Sequence, residues 1–220
     1  MPVSPLTISL DNGRSVDAVQ HLPEGDTLPE WVVVYAPGAG SSLDDGFGVF
    51  LCERLAAQGI AAVRFQFPYQ QARSRRPDPP ALLQATWRAA IDAARPRGRR
   101  IAVGGRSMGG RIASMVAAAG TPVDALALFA YPLRPPGQPE KIRVAHLPQI
   151  TAPTLFCSGT RDSFGTPGEL AEAAALVPNA SLHLLEGADH GFTCLKSSGR
   201  TKQQAWDEAV DTFIAWLHER

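Results

Sequence analysis

The sequence has few of the features that mark membrane proteins, disulfide-rich secreted proteins or nucleic-acid-binding proteins. No apolar run approaches the roughly 18–20 residues that cross a bilayer. Its three cysteines, Cys52, Cys157 and Cys194, form neither a disulfide framework nor a metal-ligand spacing. Residues 1–15 lack a basic segment followed by an apolar one. The formal net charge is zero, which gives no electrostatic reason to expect nucleic acid or an anionic membrane as partner. We therefore expect a cytoplasmic protein with reduced thiols.

The composition is that of a protein with a large core. Hydrophobic residues make up 45% of the 220 residues and charged residues 19%, so disorder is not expected and residues 1–220 suit one domain. Short apolar runs alternate with longer helical patterns. The runs that predict strands are 6–10, 16–22, 31–36, 60–67, 100–105, 125–131, 153–159 and 181–187, with a turn at 11–13 between the first two. The segments with helical spacing are 47–55, 83–94, 108–120 and 206–217.

Strands that alternate with helices predict βαβ units and a mostly parallel sheet. The central runs are apolar throughout, as expected of strands covered by helices on both faces. We therefore predict an α/β fold with about seven or eight strands. The segment 132–152 has no clear pattern and is too short for a large cap domain, so we expect it to cross the surface. Ligands of such sheets bind at the carboxyl ends of the strands.

Ser107 lies at one of these strand ends, directly before a helical pattern, in the segment G-R-S-M-G. This is the G-x-S-x-G pattern of a nucleophile elbow, a turn so tight that side chains at 105 and 109 would collide with neighbouring backbone. Glycine at both positions removes those side chains. The alternative is an ordinary glycine-rich bend, but the strand–turn–helix context favours Ser107 as a nucleophile.

His190 is the predicted general base, because it follows the last strand and completes the chain order Ser–acid–His. His146, in the segment without a pattern, is an alternative, whereas His183 lies inside a strand. The predicted orienting carboxylate is Asp162, which follows the run 153–159. Its alternative role is that of a turn or helix-capping residue.

Asp189 is adjacent to His190, and neighbouring side chains on an extended loop usually diverge. Asp124 precedes its strand and belongs at the other edge of the sheet. The tetrahedral intermediate of acyl transfer needs amide donors. We expect them from the backbone of Met108, just after the nucleophile, and of Ala39, in the loop after the run 31–36.

Arginines gather in the same loops. Arg64, Arg73, Arg106 and Arg161 follow or end predicted strands and are candidate substrate-binding residues for a carboxylate, since a guanidinium can bind it through two hydrogen bonds. Arg75 and Arg76 lie in the same loop as Arg73. The alternative is a solvated rim of charges paired with residues such as Asp78 or Glu140, which contributes little to binding.

Several segments, taken together, resemble the α/β-hydrolase superfamily, and within it the small, lidless, dienelactone-hydrolase-like branch. They are 36–45, 63–69, 104–111, 131–147, 153–165 and 187–192, and the resemblance runs from about residue 15 to the end. It implies Ser107, Asp162 and His190 as a catalytic triad. Two departures matter. Relatives often have His-Gly where this chain has Pro37-Gly38, and true dienelactone hydrolases use a cysteine nucleophile, so their substrate is not carried over.

The expected function is that of a serine hydrolase that cleaves carboxylic esters or thioesters of small molecules through an acyl-enzyme on Ser107. No metal or organic cofactor is implied. The alternatives are a non-catalytic interaction module that retains the fold, and an acyltransferase with an acceptor other than water.

Overall fold

The structure is a computed structural model that describes residues 2–11, 13–135, 137–138 and 140–220. Asn12 of the predicted turn, and Pro136 and Pro139 of the segment 132–152, lie outside the described residues. The strands are β1 (Val3–Ser9), β2 (Ser15–His21), β3 (Trp31–Ala36), β4 (Ala61–Phe65), β5 (Arg100–Arg106), β6 (Ala125–Phe129), β7 (Thr154–Gly159) and β8 (Ala180–Leu185). Each of the predicted strands is therefore present, with boundaries that differ by a few residues.

The strands form one eight-stranded sheet in the order β1-β2-β4-β3-β5-β6-β7-β8. The pairs β1–β2 and β2–β4 are antiparallel, whereas the strands from β4 to β8 in this order run parallel to one another. β3 and β5 are central, and every residue of β3 is buried. Their apolar runs are explained by helices on both sides, which exclude water from both faces of a parallel sheet.

Two hydrophobic cores lie on opposite faces of the sheet. The helices are α1 (Gly46–Ala57), α2 (Pro68–Gln71), α3 (Pro80–Ala94), α4 (Met108–Ala118), α5 (Pro167–Ala175) and α6 (Lys202–His218). One core contains side chains of α1 and α6, such as Phe47 and Phe213, and the other contains side chains of α3, α4 and α5, such as Trp87 and Ile112. This confirms the predicted mostly parallel sheet with helices on both faces.

Two helices were not predicted from the sequence. Thr166 caps the amino end of α5. Its hydroxyl accepts a hydrogen bond from the Glu169 amide, and the Glu169 carboxylate accepts one from the Thr166 amide. This reciprocal pair, followed by Pro167, is a helix-start signal that hydrophobic spacing alone overlooks. α2 is a single turn in the arginine-rich loop after β4, too short to show a period.

The segment between β6 and β7 packs against α4 and contains one short turn of 3₁₀ helix, Leu147–Gln149. The Arg143 amide donates to the Leu133 carbonyl, and the Tyr131 hydroxyl donates to the Arg143 carbonyl. These bonds fold the segment back on itself beside the carboxyl ends of the strands. Among the described residues, no helix combines the length and apolarity required to cross a membrane.

Candidate active site

Ser107 forms the sharp turn between β5 and α4. Its backbone has φ 54° and ψ −119°, a conformation that costs a residue with a side chain about 1–3 kcal/mol. A Cβ at Gly105 would lie 2.5 Å from the Ala36 carbonyl oxygen, and one at Gly109 would lie 2.2 Å from the same atom. Both distances are far below contact, so the turn requires glycine two residues before and two residues after Ser107, as expected from the sequence.

The structure brings Ser107, His190 and Asp162 together from three separate loops. His190 Nε2 lies 2.9 Å from Ser107 Oγ, and His190 Nδ1 lies 2.8 Å from Asp162 Oδ2. The Asp162 side chain is 1% exposed and that of His190 is 25% exposed. The imidazole therefore links a buried carboxylate to a hydroxyl at the surface of a cleft, an arrangement that can move the hydroxyl proton onto the ring.

Further contacts fix the orientation of the acid and the base. The second oxygen of Asp162, Oδ1, accepts a hydrogen bond of 2.8 Å from the Phe164 amide. The Phe164 ring lies 4.3 Å from the His190 ring, centroid to centroid. One contact fixes the carboxylate and the other limits rotation of the imidazole.

The other candidate acids and bases are engaged elsewhere. Asp189 accepts hydrogen bonds from the amides of Gly191 and Thr193, so its side chain shapes the loop that carries His190. His146 Nε2 lies 2.7 Å from Ser114 Oγ, and burial together with nearby Arg111 lowers the pKa of His146 to about 4.

The loop that contains Ala39 approaches the elbow closely. A Cβ on Gly38 would lie 3.5 Å from the Cβ of Ser107. The Gly38 carbonyl accepts a hydrogen bond of 2.9 Å from Gln70 Nε2. In a trans peptide the C=O and N–H point in opposite directions, so the Ala39 amide in the same peptide plane points away from Gln70. Met108 is the first residue of α4, so its amide has no acceptor within the helix.

A buried carboxylate that sequence analysis missed, Asp45, ties this loop to the elbow. Asp45 Oδ2 accepts hydrogen bonds from the Tyr35 hydroxyl (2.6 Å) and the Gly48 amide (3.0 Å). Asp45 Oδ1 accepts from the Ser41 hydroxyl and forms an ion pair with Arg106, each at 3.0 Å. Burial and the Asp45 charge raise the pKa of Tyr35 well above its ordinary value, so its hydroxyl remains a donor.

Ser107 and His190 open onto a cleft of about 720 Å³. Of the predicted substrate-binding arginines, Arg106 lines this cleft, and Arg73 lines an adjoining groove. Arg64 is buried in β4 and donates to His21 and to the Leu43 carbonyl, away from the cleft.

Arg161 is exposed and donates to the Gly187 carbonyl outside the cleft. The expectation that Arg64 and Arg161 contact substrate is therefore corrected. A strand end brings a residue to the correct edge of the sheet, but side-chain direction decides which surface it reaches. The lining also includes Arg75, which belongs to the arginine-rich loop noted in the sequence, and three further arginines: Arg111, Arg134 and Arg143. Nothing in their sequence context marks the last three.

Comparison with known proteins identifies the family. Residues 29–218 match a family model described as an alpha/beta hydrolase domain. Among solved structures, the esterase domain of a Rhodothermus marinus protein is 18% identical, with a TM-score of 0.75, and covers 100% of this chain and 99% of its own. An α/β serine hydrolase without a lid from Xanthomonas campestris is 19% identical, with a TM-score of 0.71 and 97% and 96% covered. A dienelactone hydrolase from Anabaena variabilis is 20% identical, with a TM-score of 0.75 and 97% of each chain covered. The resemblance inferred from the sequence, including the absence of a large cap, is confirmed at the level of the fold.

A curated relative matches a shorter stretch. Over 70 residues, 32% of this chain, the sequence is 36% identical to the polyketide synthase ThaQ of Burkholderia thailandensis. The match spans 3% of the length of that protein, so its activity as a whole is not transferred to this chain.

Proposed function

This chain belongs to the α/β hydrolase family, and from that premise we propose that it is a serine hydrolase acting on carboxylic esters or thioesters of small molecules. The observation that carries the proposal is the continuous hydrogen-bonded path from Ser107 Oγ through the His190 ring to Asp162. A hydroxyl, an imidazole and a buried carboxylate in this order form the arrangement that converts a serine into a nucleophile.

The reaction proceeds in two halves. Ser107 Oγ attacks the scissile carbonyl carbon while His190 Nε2 takes the hydroxyl proton, and Asp162 stabilises the imidazolium that results. His190 then gives that proton to the leaving alkoxide or thiolate, which departs and leaves an acyl-enzyme on Ser107. Water attacks the acyl group with His190 as base, and the carboxylic acid is released while the proton returns to Ser107.

The amides of Met108 and Ala39 are the proposed donors to the oxyanion of the tetrahedral intermediate. The Met108 amide is at the amino end of α4, where the helix dipole also stabilises negative charge. The Ala39 amide is oriented by the bond between Gln70 and the Gly38 carbonyl. Preorganised donors of this kind stabilise the transition state more than the ground state, by roughly 3–4 kcal/mol for one donor.

Ester chemistry is proposed because similar folds include proteins described as an esterase and as a dienelactone hydrolase. The cleft is open, since the described part of the segment between β6 and β7 forms a wall and contains no helical cap. We therefore expect small, short-chain acyl groups as substrates. The single sheet supports one domain over residues 1–220, and we retain a cytoplasmic location as a proposal.

The test is covalent labelling with a fluorophosphonate probe followed by peptide mapping. Ser107 Oγ attacks phosphorus, the P–O bond forms and fluoride leaves, while His190 takes the hydroxyl proton. We expect the label on the peptide that contains Ser107. Ser107→Ala should abolish labelling and lower the hydrolysis of 4-nitrophenyl acetate by about 10⁴–10⁶-fold.

Ser198→Ala is the matched control, since Ser198 is exposed, does not line the cleft, and its hydroxyl bonds only locally, donating to the Leu195 carbonyl and accepting from the Arg200 amide. It should be labelled and turn over ester like the unaltered protein. Folded protein that neither takes the label nor cleaves esters or thioesters would favour a non-catalytic module. Labelling without hydrolysis, with turnover restored by an added alcohol or amine acceptor, would favour an acyltransferase.

A further inference from the structure

The cleft beside Ser107 has an excess of positive side chains. Arg75, Arg106, Arg111, Arg134 and Arg143 line it, and Asp78 is the one carboxylate among the lining residues. Asp78 Oδ2 already accepts a hydrogen bond from the Tyr69 amide, 2.9 Å away. The charge of the cleft is therefore set by how the arginines themselves are paired.

Two of these arginines have carboxylate partners. Arg106 forms its ion pair with buried Asp45. Arg134 forms a two-bond ion pair with Glu169 at the start of α5. Their charges are compensated within the protein, and they contribute little to the field that a ligand would meet.

Arg111 is different. It lies one turn of α4 beyond Ser107, and its amide donates to the Ser107 carbonyl at 3.0 Å. Its Nε is buried with no hydrogen-bond partner, and Nη1 contacts only the sulfur of Met115 at 3.3 Å, in the part of the chain that the structure describes. A half-buried guanidinium without a carboxylate partner in the chain is an unfavourable arrangement.

Arg143 is in a similar state. Its backbone is fixed by Leu133 and Tyr131, but the structure gives its side chain no hydrogen-bond or ion-pair partner among the described residues. Tyr131 does not supply a charge, because burial raises the pKa of its hydroxyl to about 12. Burial lowers the pKa of both Arg111 and Arg143, and in Arg111 the charge of Arg143 adds to the effect. The positive charge of Arg143 thus disfavours that of Arg111, and neither guanidinium is paired with a carboxylate among the described residues.

We propose that the substrate of this site carries an anionic oxygen group, a carboxylate or a phosphate, which Arg111 and Arg143 bind together. The proposal rests on the serine hydrolase function proposed above and adds the substrate class. The backbone of Arg111 lies four residues beyond Ser107, a rise of about 6 Å along α4, and Arg111, Arg143 and Ser107 line the same cleft. We therefore place the anion within the length of a short acyl chain from the scissile carbonyl. Two planar forks match the oxygens of either group, and binding removes the repulsion between the arginines.

The test compares an anionic and a neutral ester of matched length at low salt. For carboxylate, the pair is mono-4-nitrophenyl adipate and 4-nitrophenyl hexanoate, and for phosphate, 4-nitrophenyl 6-phosphooxyhexanoate replaces the adipate. We expect kcat/KM to favour at least one anionic ester by about 10- to 100-fold, as for hydrogen bonds to a charged group. The preference should shrink as salt is raised, because ions screen the attraction. A preference for the adipate would identify the anion as a carboxylate, and a preference for the phosphooxyhexanoate would identify it as a phosphate.

Arg111→Gln and Arg143→Gln should each reduce the ratio of anionic to neutral kcat/KM by about tenfold or more. Arg88→Gln is the control, since Arg88 is an exposed residue of α3 that does not line the cleft. It should leave the ratio unchanged. An equal loss of preference in Arg88→Gln would mean a general surface field and would overturn the assignment to Arg111 and Arg143.

Two failures are distinguishable. If Ser107-dependent hydrolysis of the neutral ester is observed but neither anionic ester is preferred at low salt, the anion site is wrong and the hydrolase function stands. If no ester is cleaved and Ser107 takes no fluorophosphonate label, the hydrolase function is wrong and the substrate class fails with it.

Discussion

Arg106 and Arg111 stand on either side of Ser107 in the sequence and line the same cleft, yet their surroundings differ. Arg106 contacts a carboxylate that is itself held by Tyr35, Ser41 and the amino end of α1. Arg111 has a buried Nε with no hydrogen-bond partner, and the Met115 sulfur is the one hydrogen-bond acceptor of its side chain among the described residues. The first arginine belongs to a closed network, and the second leaves hydrogen-bonding capacity unused.

The difference separates two tasks of the cleft. Groups that must hold reacting atoms in place gain from a network in which every partner is satisfied, because it fixes one geometry. Groups that recognise a ligand keep donors free for it, at a cost to the stability of the empty protein. The elbow with the Asp45 network serves the first task, and we propose that Arg111 and Arg143 serve the second.

The largest expected effect comes from Gly109→Ala, which disrupts the close packing of the elbow against the end of β3. The new Cβ would lie 2.2 Å from the Ala36 carbonyl oxygen and 2.6 Å from that of Pro37, both backbone atoms that cannot move aside. We expect a loss of about 3 kcal/mol or more, at the upper end for overpacking. For a chain of this size that is a fall in Tm of roughly 6–12 °C, measured by thermal unfolding.

Gly40→Ala is the matched control on the same cleft. A Cβ at Gly40 would have no atom within 4 Å, and its φ is not positive. Its Tm should stay within about 1–2 °C of the unaltered protein, as for a substitution worth 0.5 kcal/mol or less. Equal Tm values for the two variants would contradict the close approach of the elbow to β3.

The closely packed elements, namely the sheet and the elbow at Ser107, are also the ones that could be predicted from the sequence. The eight strands follow from apolar runs, and the elbow follows from glycines at fixed offsets around Ser107, since both are local patterns. The positions of Asp162 and His190 follow from chain order along a parallel sheet. These expectations need no knowledge of how distant side chains meet.

The unpaired arginines could not be read in this way. Arg111 and Ser114 are the two polar side chains of α4, and nothing in the local sequence gives Arg111 a binding role. Arg143 lies in a segment without a pattern. Their placement in one cleft depends on how the described part of the segment between β6 and β7 folds back beside α4, through bonds such as that between the Arg143 amide and the Leu133 carbonyl. Asp45 was missed for the same reason, because its partners Tyr35 and Arg106 come from two different strands. By contrast, α5 was missed although its Thr166–Glu169 start signal is local.

A pair of identical substitutions sharpens the comparison between the two arginines. Arg106→Met removes one partner of an ion pair and leaves Asp45 with less compensation, so we expect a loss of about 1–3 kcal/mol, reduced because the Arg106 side chain is 20% exposed. Arg111→Met removes a half-buried charge that has no counter-ion and replaces it with an apolar chain beside Met115. We expect no loss, or a gain of up to about 1 kcal/mol.

Urea unfolding at pH 7 measures both variants, and the sign of the difference is the informative result. A loss in Arg111→Met as large as that in Arg106→Met would mean that Arg111 is compensated within the protein, contrary to the comparison.

The smallest expected effect concerns His146, which lies beside Ser114 of α4 and close enough to Arg111 for the two charges to interact. Its pKa is lowered to about 4 by burial and by Arg111, against an ordinary value of 6.5. Between pH 6.5 and pH 4 the unfolded chain therefore binds more protons at this residue than the folded chain, and the free energy of unfolding falls as the pH is lowered. The contribution is complete above pH 6.5 and is lost progressively toward pH 4. Since His146 is only partly buried, we discount it to about 1 kcal/mol between pH 7 and pH 5.

His146→Gln should remove this contribution, because its amide can still donate to Ser114 Oγ without taking a proton. Urea unfolding at pH 7 and pH 5 should give a difference between the two pH values that is about 1 kcal/mol smaller than in the unaltered protein. His21→Gln serves as the comparison, because the pKa of His21 is also lowered to about 4, by burial and by Arg64, far from the unpaired arginines. Sulfate is the suitable anion for this test, because its charge does not change between pH 7 and pH 5. If it binds Arg111, it should weaken the repulsion of a protonated His146 and reduce the pH dependence in the unaltered protein but not in His146→Gln. The same reduction in His146→Gln would show that the anion acts through another residue.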